Sequence, residues 1–529
     1  MTRTQSTRLQ VALRIAGFAL TLGLISAPLA AWAAASDIMS RPQTTAEHDQ
    51  FEILKQRFET GPEVTKACLT CHTKAAKQLH ETKHWTWSYE NPRTGQQLGK
   101  INVINNFCIS AKPNIAFCTS CHIGYGWKDD SFDFAAEENV DCLVCHDTTG
   151  TYSKAALNDP DKKRKPNLSK IARSVGPTSR ATCGSCHFAG GGAKAVKHGD
   201  IDPSLTHPDF FVDVHMDADG LNFSCSTCHT SDQHAVAGSR YAPTAMDTNG
   251  IDVPGSMVGG RASCEYCHGP APHPEENHPK LNDHTDRVAC QTCHIPRLAR
   301  GDFASKNRWD WSTAGRMADD GKVLSVHAED GTEVYNSKKG DFVWEEWFRP
   351  EYAWFNGTVR YTLVGDPIDP DGTVAINRIE GGPRDPTARI WPFKVMRGKQ
   401  PYDSGNKTLV AVKTTGPTGY WSIFDWPTAI GEGMEAVGQP YSGEYGFVET
   451  TMHWPIAHMV APASEALACN DCHKRNGLLT ELSGFYMPGR DSYEWLTRLG
   501  WIGAALTLIG VLIHMALRVV LSARNGKRG

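Results

Sequence analysis

The sequence carries no strong charge of either sign, because 54 Lys and Arg residues nearly balance 58 Asp and Glu residues, for a formal net charge of −4. This balance predicts that the protein has no nucleic-acid partner. Long apolar runs are lacking except at the two ends of the chain. Of the 529 residues, 40% are apolar and 21% are charged, which is typical of a soluble globular body between those ends.

Cysteine outside one repeated motif is almost absent. Of 17 cysteines, only Cys108 in INNFCIS lies outside a CxxCH motif, so it has no partner for an internal disulfide. The other 16 form eight motifs: Cys68, Cys71 and His72; Cys118, Cys121 and His122; Cys142, Cys145 and His146; Cys183, Cys186 and His187; Cys225, Cys228 and His229; Cys264, Cys267 and His268; Cys290, Cys293 and His294; Cys469, Cys472 and His473.

Each CxxCH motif predicts one covalently bound haem c, so the predicted cofactors are eight haem c groups. Two thiols three positions apart reach the two vinyl groups of a haem, and the next residue places its imidazole under the iron. Paired cysteines are also typical of zinc sites and disulfides, but zinc ribbons do not repeat a histidine after the second cysteine. Seven motifs lie between Cys68 and His294. Because this density leaves too little chain for a conventional core, the porphyrins must form the core.

The two ends of the chain predict export and a membrane anchor. Residues 1–35 combine arginines, an apolar run and an alanine-rich cleavage site, which indicates a secretory signal peptide; an uncleaved N-terminal anchor is the alternative. Residues 495–520 predict a transmembrane helix, followed by a basic tail at 521–529. The positive-inside rule then places the tail in the cytoplasm. We therefore expect a periplasmic body anchored to the inner membrane by a C-terminal helix.

The spacing of the CxxCH motifs divides the rest of the chain into a part dense in motifs and a part without them. Nine of the 15 tryptophans lie between residues 295 and 468, where GTEVY, VRYTLVG and TLVAVKTT alternate as strands do. The predicted fold class is a multihaem cytochrome c, mainly α-helical and irregular, with a haem-packed core, a partly β, Trp-rich insert and a C-terminal transmembrane helix. The predicted segments are a seven-haem body with a catalytic second haem at 36–300, an insert without haem motifs at 301–450, the eighth haem segment at 451–480 and a connector at 481–494.

The second axial ligand of each haem separates electron transfer from chemistry. An iron with two histidine ligands only passes electrons, whereas a reactive haem needs a vacant or displaceable position. His48 precedes the first motif, His327 lies in the insert and His514 lies in the membrane helix, so these three are set aside. Eleven histidines remain, enough to cap all eight irons: His80, His84, His198, His207, His215, His234, His273, His278, His284, His453 and His458. The predicted ligands among them are His84, His198, His215, His234, His273, His284 and His458.

The sequence resembles the octahaem tetrathionate reductases, which are periplasmic octahaem cytochromes related to hydroxylamine oxidoreductase. The resemblance covers residues 60–480. It rests on the eight CxxCH motifs with a long gap before the last, NNFC ahead of the second, a GGG…KHGD loop after the fourth and WPIAHMVAP before the eighth. It implies seven haems with two histidine ligands and a catalytic second haem with a lysine opposite its histidine and a cysteine and an asparagine beside it.

Carried onto this sequence, the resemblance assigns the catalytic roles to His122, Lys197, Cys108 and Asn105, and leaves His198 to cap a different haem. A lysine binds iron only as the neutral amine, which requires burial beside the metal. Lys128 in GYGWKDD is a rival for this ligand because it lies closer in sequence to the second motif.

One position departs from the family pattern. The residue three before the ligand lysine is acidic in the family, whereas here it is Lys194. This change favours anion binding and removes a possible proton relay. We therefore expect a reductase of a small anion, tetrathionate to thiosulfate above others. The alternatives are nitrite or hydroxylamine reduction at the same haem, or an electron conduit with no substrate of its own. The anchor implies a quinol-oxidising membrane partner, with His514 as a functional residue or one that snorkels to the interface.

Overall fold

The computed structural model describes residues 44, 46–158, 165–240, 262–269, 271–274, 276 and 280–525. The signal peptide expected at 1–35, His278 and the end of the basic tail at 526–529 lie outside these described residues. The chain forms two compact units, Met1–Ala466 and Leu467–Gly529.

Short helices and irregular chain make up the seven-haem body, as the density of motifs predicts. Its α-helices are Gly61–Leu69, Ala75–His80, Lys83–Thr86, Ile115–Cys118, Leu143–His146, Lys154–Asn158, Leu168–Arg173, Arg180–His187, Cys225–Cys228, Cys264–His268 and Cys290–His294. Its 3-10 helices are His48–Gln50, Glu52–Leu54, Lys112–Asn114, Thr119–Cys121, Glu137–Asn139, Pro203–Thr206 and Asn282–His284.

Most CxxCH motifs lie on a single helical turn, because residues i and i+3 share one face of a helix and so present both thiols together. Local caps fix where several of these turns begin. Ser179 accepts a hydrogen bond from the backbone N–H of Thr182, and Ser263 accepts one from that of Tyr266. The motif helices are therefore specified by their own sequences.

The strands lie mostly in the insert and form one large sheet. They are β1 (Tyr89–Glu90), β2 (Gln97–Leu98), β3 (Ser231–Asp232), β4 (Ala235–Val236), β5 (Ser305–Asp310), β6 (Ser325–His327), β7 (Glu333–Asn336), β8 (Gly340–Glu345), β9 (Glu351–Phe355), β10 (Val359–Tyr361), β11 (Val374–Ala375), β12 (Asn377–Ile379), β13 (Arg389–Asp403), β14 (Thr408–Leu409) and β15 (Tyr445–Pro455). The nine-stranded sheet runs in the order β11-β15-β13-β5-β8-β7-β6, and β9 and β14 also pair with β13. The small pairs are β1-β2, β3-β4 and β10-β12.

The long strand β13 organises this sheet. It pairs antiparallel with β15 from Phe393 opposite Pro455 to Asp403 opposite Tyr445, and parallel with β5, where Arg397 lies opposite Arg308. Almost every residue of β13 is buried. The remaining elements of this unit are the 3-10 helices Trp311–Thr313 and Ala463–Glu465 and the α-helices Tyr420–Ile423 and Trp426–Ala436.

Tryptophans of the insert form the largest apolar core of the described chain. Trp309 and Trp311 stack with their ring centres 5.1 Å apart, and Trp311 packs edge-on against Trp426 at 6.1 Å. Phe107, from the seven-haem body, belongs to the same core, and its carbonyl accepts a 3.0 Å hydrogen bond from Trp311 Nε1. Smaller apolar clusters, such as the one around Val64, lie within the haem-binding segments, and the core of the insert packs directly against the chain before the second motif.

Asn114 also joins the second motif segment to the insert. Its Nδ2 donates to the carbonyls of Ser110 at 3.0 Å and Val412 at 2.8 Å. Its Oδ1 accepts from the backbone N–H groups of Thr414 at 2.8 Å and Thr415 at 3.1 Å. The whole side chain is buried.

We expect Asn114→Ala to lower the free energy of unfolding by about 2–3 kcal/mol, because it leaves buried backbone groups without partners. Denaturant unfolding followed by circular dichroism measures this change. The control Asn102→Ala removes an amide that bonds only to Ser88 and Leu98 nearby in the chain. Equal unfolding midpoints for the two variants would contradict the role assigned to Asn114.

The second unit contains the helices Cys469–Cys472 and Glu494–Asn525. The second of these, the anchor helix, is exposed along its length and is long and apolar enough to cross a membrane. The chain before it is ordered by Arg490, whose guanidinium donates to the carbonyls of Leu479 at 3.0 Å and Phe485 at 2.9 Å and pairs with Asp491 at 2.7 Å. The predicted connector is therefore a hydrogen-bonded turn region.

Candidate functional site

Motif histidines lie opposite histidines from elsewhere in the chain. Two metal–imidazole bonds of about 2.0 Å, with each ring centre about 1.1 Å behind its nitrogen, put two axial rings roughly 6.2 Å apart. Five pairs in the described chain have this spacing: His48 and His72 at 6.3 Å, His84 and His187 at 6.3 Å, His215 and His268 at 6.0 Å, His229 and His458 at 6.0 Å, and His273 and His294 at 6.2 Å. The residues present fit irons held between two imidazoles.

The hydrogen bonds of several motif and facing histidines also fit metal binding. Nδ1 of His146 contacts the carbonyl of Gly176 at 2.8 Å, and Nδ1 of His229 contacts that of Ala237 at 2.9 Å. Nδ1 of His458 lies 3.2 Å from Asp200 Oδ2. When Nδ1 carries the proton for such a bond, Nε2 is left as the metal-binding nitrogen and the ring orientation is fixed.

His48 is a ligand candidate that the sequence reasoning set aside because it precedes the first motif. The structure stacks its ring on that of His72, the histidine of that motif. The 3-10 helices His48–Gln50 and Glu52–Leu54 compact the intervening chain and return it to the motif. Its short distance in sequence from the first motif was the only signal that could have identified it.

Five of the predicted distal ligands are placed close to other elements of the haem-binding segments. His84, His215, His273 and His458 each face a motif histidine, as given above. His234 is held by Gln78 Oε1 at 2.8 Å from its Nδ1. Burial lowers the pKa of His234, and the nearby charges of His146 and His72 lower it further.

His198 and His284 are placed differently from the other predicted ligands. His198 packs edge-on against Trp454 at 4.8 Å, and its Nδ1 lies 3.8 Å from Asp200 Oδ1. Within the part of the chain that the structure describes, no ring contact joins His198 to a motif histidine. His284 is exposed, and its Nδ1 contacts the carbonyl of Lys280 at 2.7 Å.

Motif thiols from different parts of the sequence also meet. The side chains of four pairs lie close together: Cys68 and Cys142, Cys121 and Cys186, Cys183 and Cys225, and Cys264 and Cys290. These contacts make the first motif a neighbour of the third, the fourth a neighbour of the second and the fifth, and the sixth a neighbour of the seventh. Such adjacency is what electron transfer between bound haems requires.

His122, of the second motif, does not follow the pattern of the other motif histidines. Its Nε2 contacts the carbonyl of Trp85 at 2.6 Å, and its Nδ1 accepts the backbone N–H of Gly124 at 3.0 Å. The ring is fully buried, with Trp127 at 4.7 Å and Trp87 at 5.3 Å between ring centres. Burial is the main cause that lowers its pKa to about 4. Both ring nitrogens are therefore committed to the backbone.

A cavity of about 730 Å³ lies beside the second motif, and His122 is not among the residues that line it. The thiol-bearing residues Cys118 and Cys121 line it, with Cys186 from the fourth motif. The other lining residues used below are Asn105, Cys108, Tyr152, Lys100, Lys154, Lys197 and Arg240. A haem attached through Cys118 and Cys121 fits this wall.

Lys197 enters the cavity from the loop after the fourth motif. Burial is the main cause that holds its pKa well below the usual range, and the charges of Arg240 and Lys100 act in the same direction. Its Nζ lies 5.5 Å from the ring centre of Trp454, and no hydrogen bond or ion pair of that Nζ is found among the described residues. A neutral amine directed into a cavity is the form of lysine that binds a metal.

Cys108 and Asn105 also line the cavity, and the Cys108 thiol lies against the loop that carries Lys197. Asn105 Oδ1 accepts the backbone N–H of Cys108 at 2.7 Å and those of Phe107 and Ile109 at 3.1 Å each, so its oxygen fixes the turn that presents the thiol. Cys108 Sγ donates to the carbonyl of Gly191 at 3.3 Å. Burial raises the pKa of Cys108, which keeps it a thiol near neutral pH.

Two further lysines considered from the sequence lie outside the cavity lining. Lys194 is exposed and its Nζ lies 5.3 Å above the ring of Phe303. Ala195 has a left-handed backbone with φ +55°, and this turn separates the directions of Lys194 and Lys197. Lys128 is exposed as well. The structure thus brings Lys197, Cys108 and Asn105 together and leaves Lys194, Lys128 and His122 apart from them.

Comparisons with known proteins agree with this geometry. The family model of the bacterial cytochromes c matches residues 306–476. The crystal structure of an octahaem cytochrome c from Shewanella oneidensis is similar, with a TM-score of 0.73 and 44% sequence identity, over 83% of this chain and 97% of that chain. An uncharacterised protein from Archaeoglobus fulgidus is 22% identical over 291 residues, which are 44% of this chain and 96% of that protein.

The chain is therefore a multihaem c-type cytochrome with covalently bound haem c, consistent with a redox function. It belongs to the octahaem cytochrome c family. The predicted fold class is confirmed, including its mixture of helices, irregular chain and sheet and its apolar C-terminal helix.

Proposed function

We propose that the protein is a membrane-tethered periplasmic reductase with eight haem c groups, one on each CxxCH motif, and that it reduces tetrathionate to thiosulfate at the second haem. The observation that carries the proposal is the contrast between His122 and Lys197. His122 has both ring nitrogens bound to backbone and lies off the cavity, while the Lys197 amine lines it. Lys197 would then be a residue that holds the iron of this haem, and the cavity beside it would admit substrate.

The basic residues of the cavity suit a sulfur dianion. Lys100, Lys154 and Arg240 line it, and the one acidic residue in the lining is Asp147. Lys154 is buried beside Asp141 at 3.8 Å, whereas Arg240 lies 5.1 Å from the ring centre of Trp454. These cations offset the charge of a bound anion in surroundings where water screens little.

The bound haem supplies electrons and an iron that can bind a sulfur atom. Tetrathionate takes up two electrons, its central S–S bond breaks, and two thiosulfate ions leave with no proton consumed. Lys197 would hold the iron, and the cations would orient the sulfonate groups. The Cys108 thiol lines the cavity and donates a hydrogen bond to the carbonyl of Gly191. Its raised pKa disfavours the thiolate, and therefore disfavours attack by Cys108 on the S–S bond of tetrathionate.

A dye-driven assay tests the substrate. We expect the purified protein with a reduced viologen dye to convert each tetrathionate to two thiosulfates, with Lys100→Met raising KM at least about tenfold, the factor that loss of one charge-assisted contact brings. The control Lys194→Met changes an exposed lysine of the same chain. If nitrite or hydroxylamine oxidises the dye and tetrathionate does not, the proposed substrate is wrong. If none of the three oxidises the dye, the protein is an electron conduit with no substrate of its own.

One cluster at the cavity favours nitrite or hydroxylamine reduction as a second candidate, because these reactions consume protons. Tyr152 donates to Asp141 Oδ2 at 2.7 Å and Tyr125 donates to Asp141 Oδ1 at 2.8 Å. Burial raises the pKa of Asp141. Tyr152 and Lys154 line the cavity, so this network reaches substrate. Tyr152→Phe distinguishes the candidates, since it slows a proton-consuming reduction and leaves tetrathionate cleavage unchanged.

Asp200 offers a prediction for a haem away from the cavity. Its Oδ2 accepts the backbone N–H groups of Ala457 at 2.9 Å and His458 at 3.0 Å and lies 3.2 Å from His458 Nδ1. We expect Asp200→Asn to raise the reduction potential of the haem between His229 and His458, because a carboxylate makes the imidazole a stronger donor. Spectropotentiometric titration measures it, with the exposed Asp302→Asn as control. Identical titrations for all three proteins would contradict this arrangement.

A further inference from the structure

The loop that carries Lys197 is held by the sheet of the insert, and the contact is made by a second buried lysine. Lys394, on β13, has no exposed surface. Its Nζ donates to the carbonyl of Val196 at 2.9 Å and to Ser305 Oγ at 2.6 Å. Burial is the main cause that lowers the pKa of Lys394 to about 7.

Ser305, at the start of β5, continues this contact. Its Oγ lies 3.1 Å from the carbonyl of Ala195 and 3.2 Å from that of His198. The backbone N–H of Lys306 donates to Ala195 at 3.3 Å, so the single Ser305 proton is available for His198. The carbonyls at 195, 196 and 198, on both sides of Lys197, are thus all bonded to the sheet.

The backbone conformation makes this anchoring necessary. Ala195 has a left-handed φ of +55°, which an alanine adopts only where its surroundings hold it. The preceding Gly190 and Gly191 lie against the Lys197 side chain, where an added Cβ would be 3.2 Å from Nζ or 3.4 Å from Cγ. A glycine-rich loop with this conformation requires an external partner to keep one lysine directed inward and its neighbour Lys194 outward.

We propose that Lys394, together with Ser305, is the positioning residue that keeps Lys197 in the cavity. Lys394 does not touch the substrate and acts only through the backbone of the loop. The sheet of the insert therefore positions a residue of the active site, because β13 supplies Lys394 and β5 supplies Ser305. The consequence for catalysis rests on the proposed function, whereas the position of Lys197 does not.

Acetylation of Lys197 tests the proposal without reference to activity. The folded holoprotein is treated with acetic anhydride and the labelled peptides are quantified by mass spectrometry, with exposed Lys194 as internal reference. We expect Lys394→Met to increase labelling of Lys197 about tenfold, the factor that loss of one charge-assisted hydrogen bond brings. The control Lys399→Met changes a half-buried lysine of the same strand and leaves the labelling unchanged.

Ser305→Ala removes one hydroxyl and serves where Lys394→Met does not fold; we expect a smaller increase in the same direction. Lys394→Arg retains a donor and restores part of the protection. In the folded variants the spectrum of the second haem shifts toward that of Lys197→Ala, and kcat falls more than KM rises. Unchanged labelling in both Lys394→Met and Ser305→Ala overturns the proposal. Increased labelling with an unchanged haem spectrum would support the positioning role of Lys394 and would contradict the role of Lys197 as an iron ligand.

Discussion

Lys197→Ala is expected to lower dye-driven tetrathionate reduction by about 100-fold or more, because a reacting centre displaced by even an ångström loses that factor. The Lys197 amine lines the cavity, and burial holds its pKa well below the usual range, which favours the neutral form that can bind an iron. Alanine removes the amine that would hold the iron, so the reduction potential of the second haem would change. The measurement is the steady-state rate of the purified protein with reduced viologen.

Lys128→Ala is the matched control, since Lys128 is the other lysine that the sequence offers for this role and its side chain is exposed. We expect it to retain wild-type activity. An inactive Lys128→Ala beside an active Lys197→Ala would exchange the roles of the two lysines. Full activity in both variants would leave the second haem without a lysine ligand.

Deletion of residues 495–529 is expected to release a soluble protein whose dye-driven activity is unchanged and whose quinol-driven activity in membranes falls to background. The anchor helix is exposed, apolar and 31 residues long from Glu494 to Arg524, so a bilayer is the environment that would cover it. Under the proposed function, tethering would keep the haems beside a quinol-oxidising partner in that membrane. The two assays are run on the same membrane and soluble fractions.

A second tether provides the control for this deletion. Replacing residues 495–529 by an unrelated single-span helix restores membrane attachment without restoring sequence. If the protein with the replacement helix has quinol-driven activity, residues 495–529 serve for attachment alone. If it has none, residues 495–529 also provide a specific surface for the partner. Retention of quinol-driven activity by the soluble, deleted protein would contradict the need for a tether.

The motifs made the haem-binding part of the fold predictable, because covalent attachment is specified by residues three and four positions apart. The tryptophan clusters and alternating segments likewise predicted a β-containing insert. The pairing of β13 with β5 was not predictable, since Arg397 and Arg308 are brought together by a parallel register that no local pattern encodes. The role of Lys394 depends on that pairing and was therefore missed.

The pairing of histidines across the fold was predictable only in part. His84, His215, His273 and His458 were expected as ligands and lie opposite motif histidines, but the count of histidines could not choose which faced which. His48 was excluded because it precedes the first motif, yet its ring lies opposite that of His72, so position relative to a motif is a weak guide to spatial neighbours. The orientation of His122 depends on the carbonyl of Trp85 and an aromatic cluster around the ring, which only the folded chain assembles.

The near-infrared magnetic circular dichroism of the oxidised protein reports whether Lys197 is a ligand of the second haem, because it distinguishes nitrogen ligands at low-spin irons and detects high-spin ones. The account predicts one haem whose signal differs from that of the haems with two histidines, changes on addition of tetrathionate and is altered by Lys197→Ala but not by Lys194→Ala. A spectrum in which every haem has two histidine ligands, identical in wild type and Lys197→Ala, would contradict it.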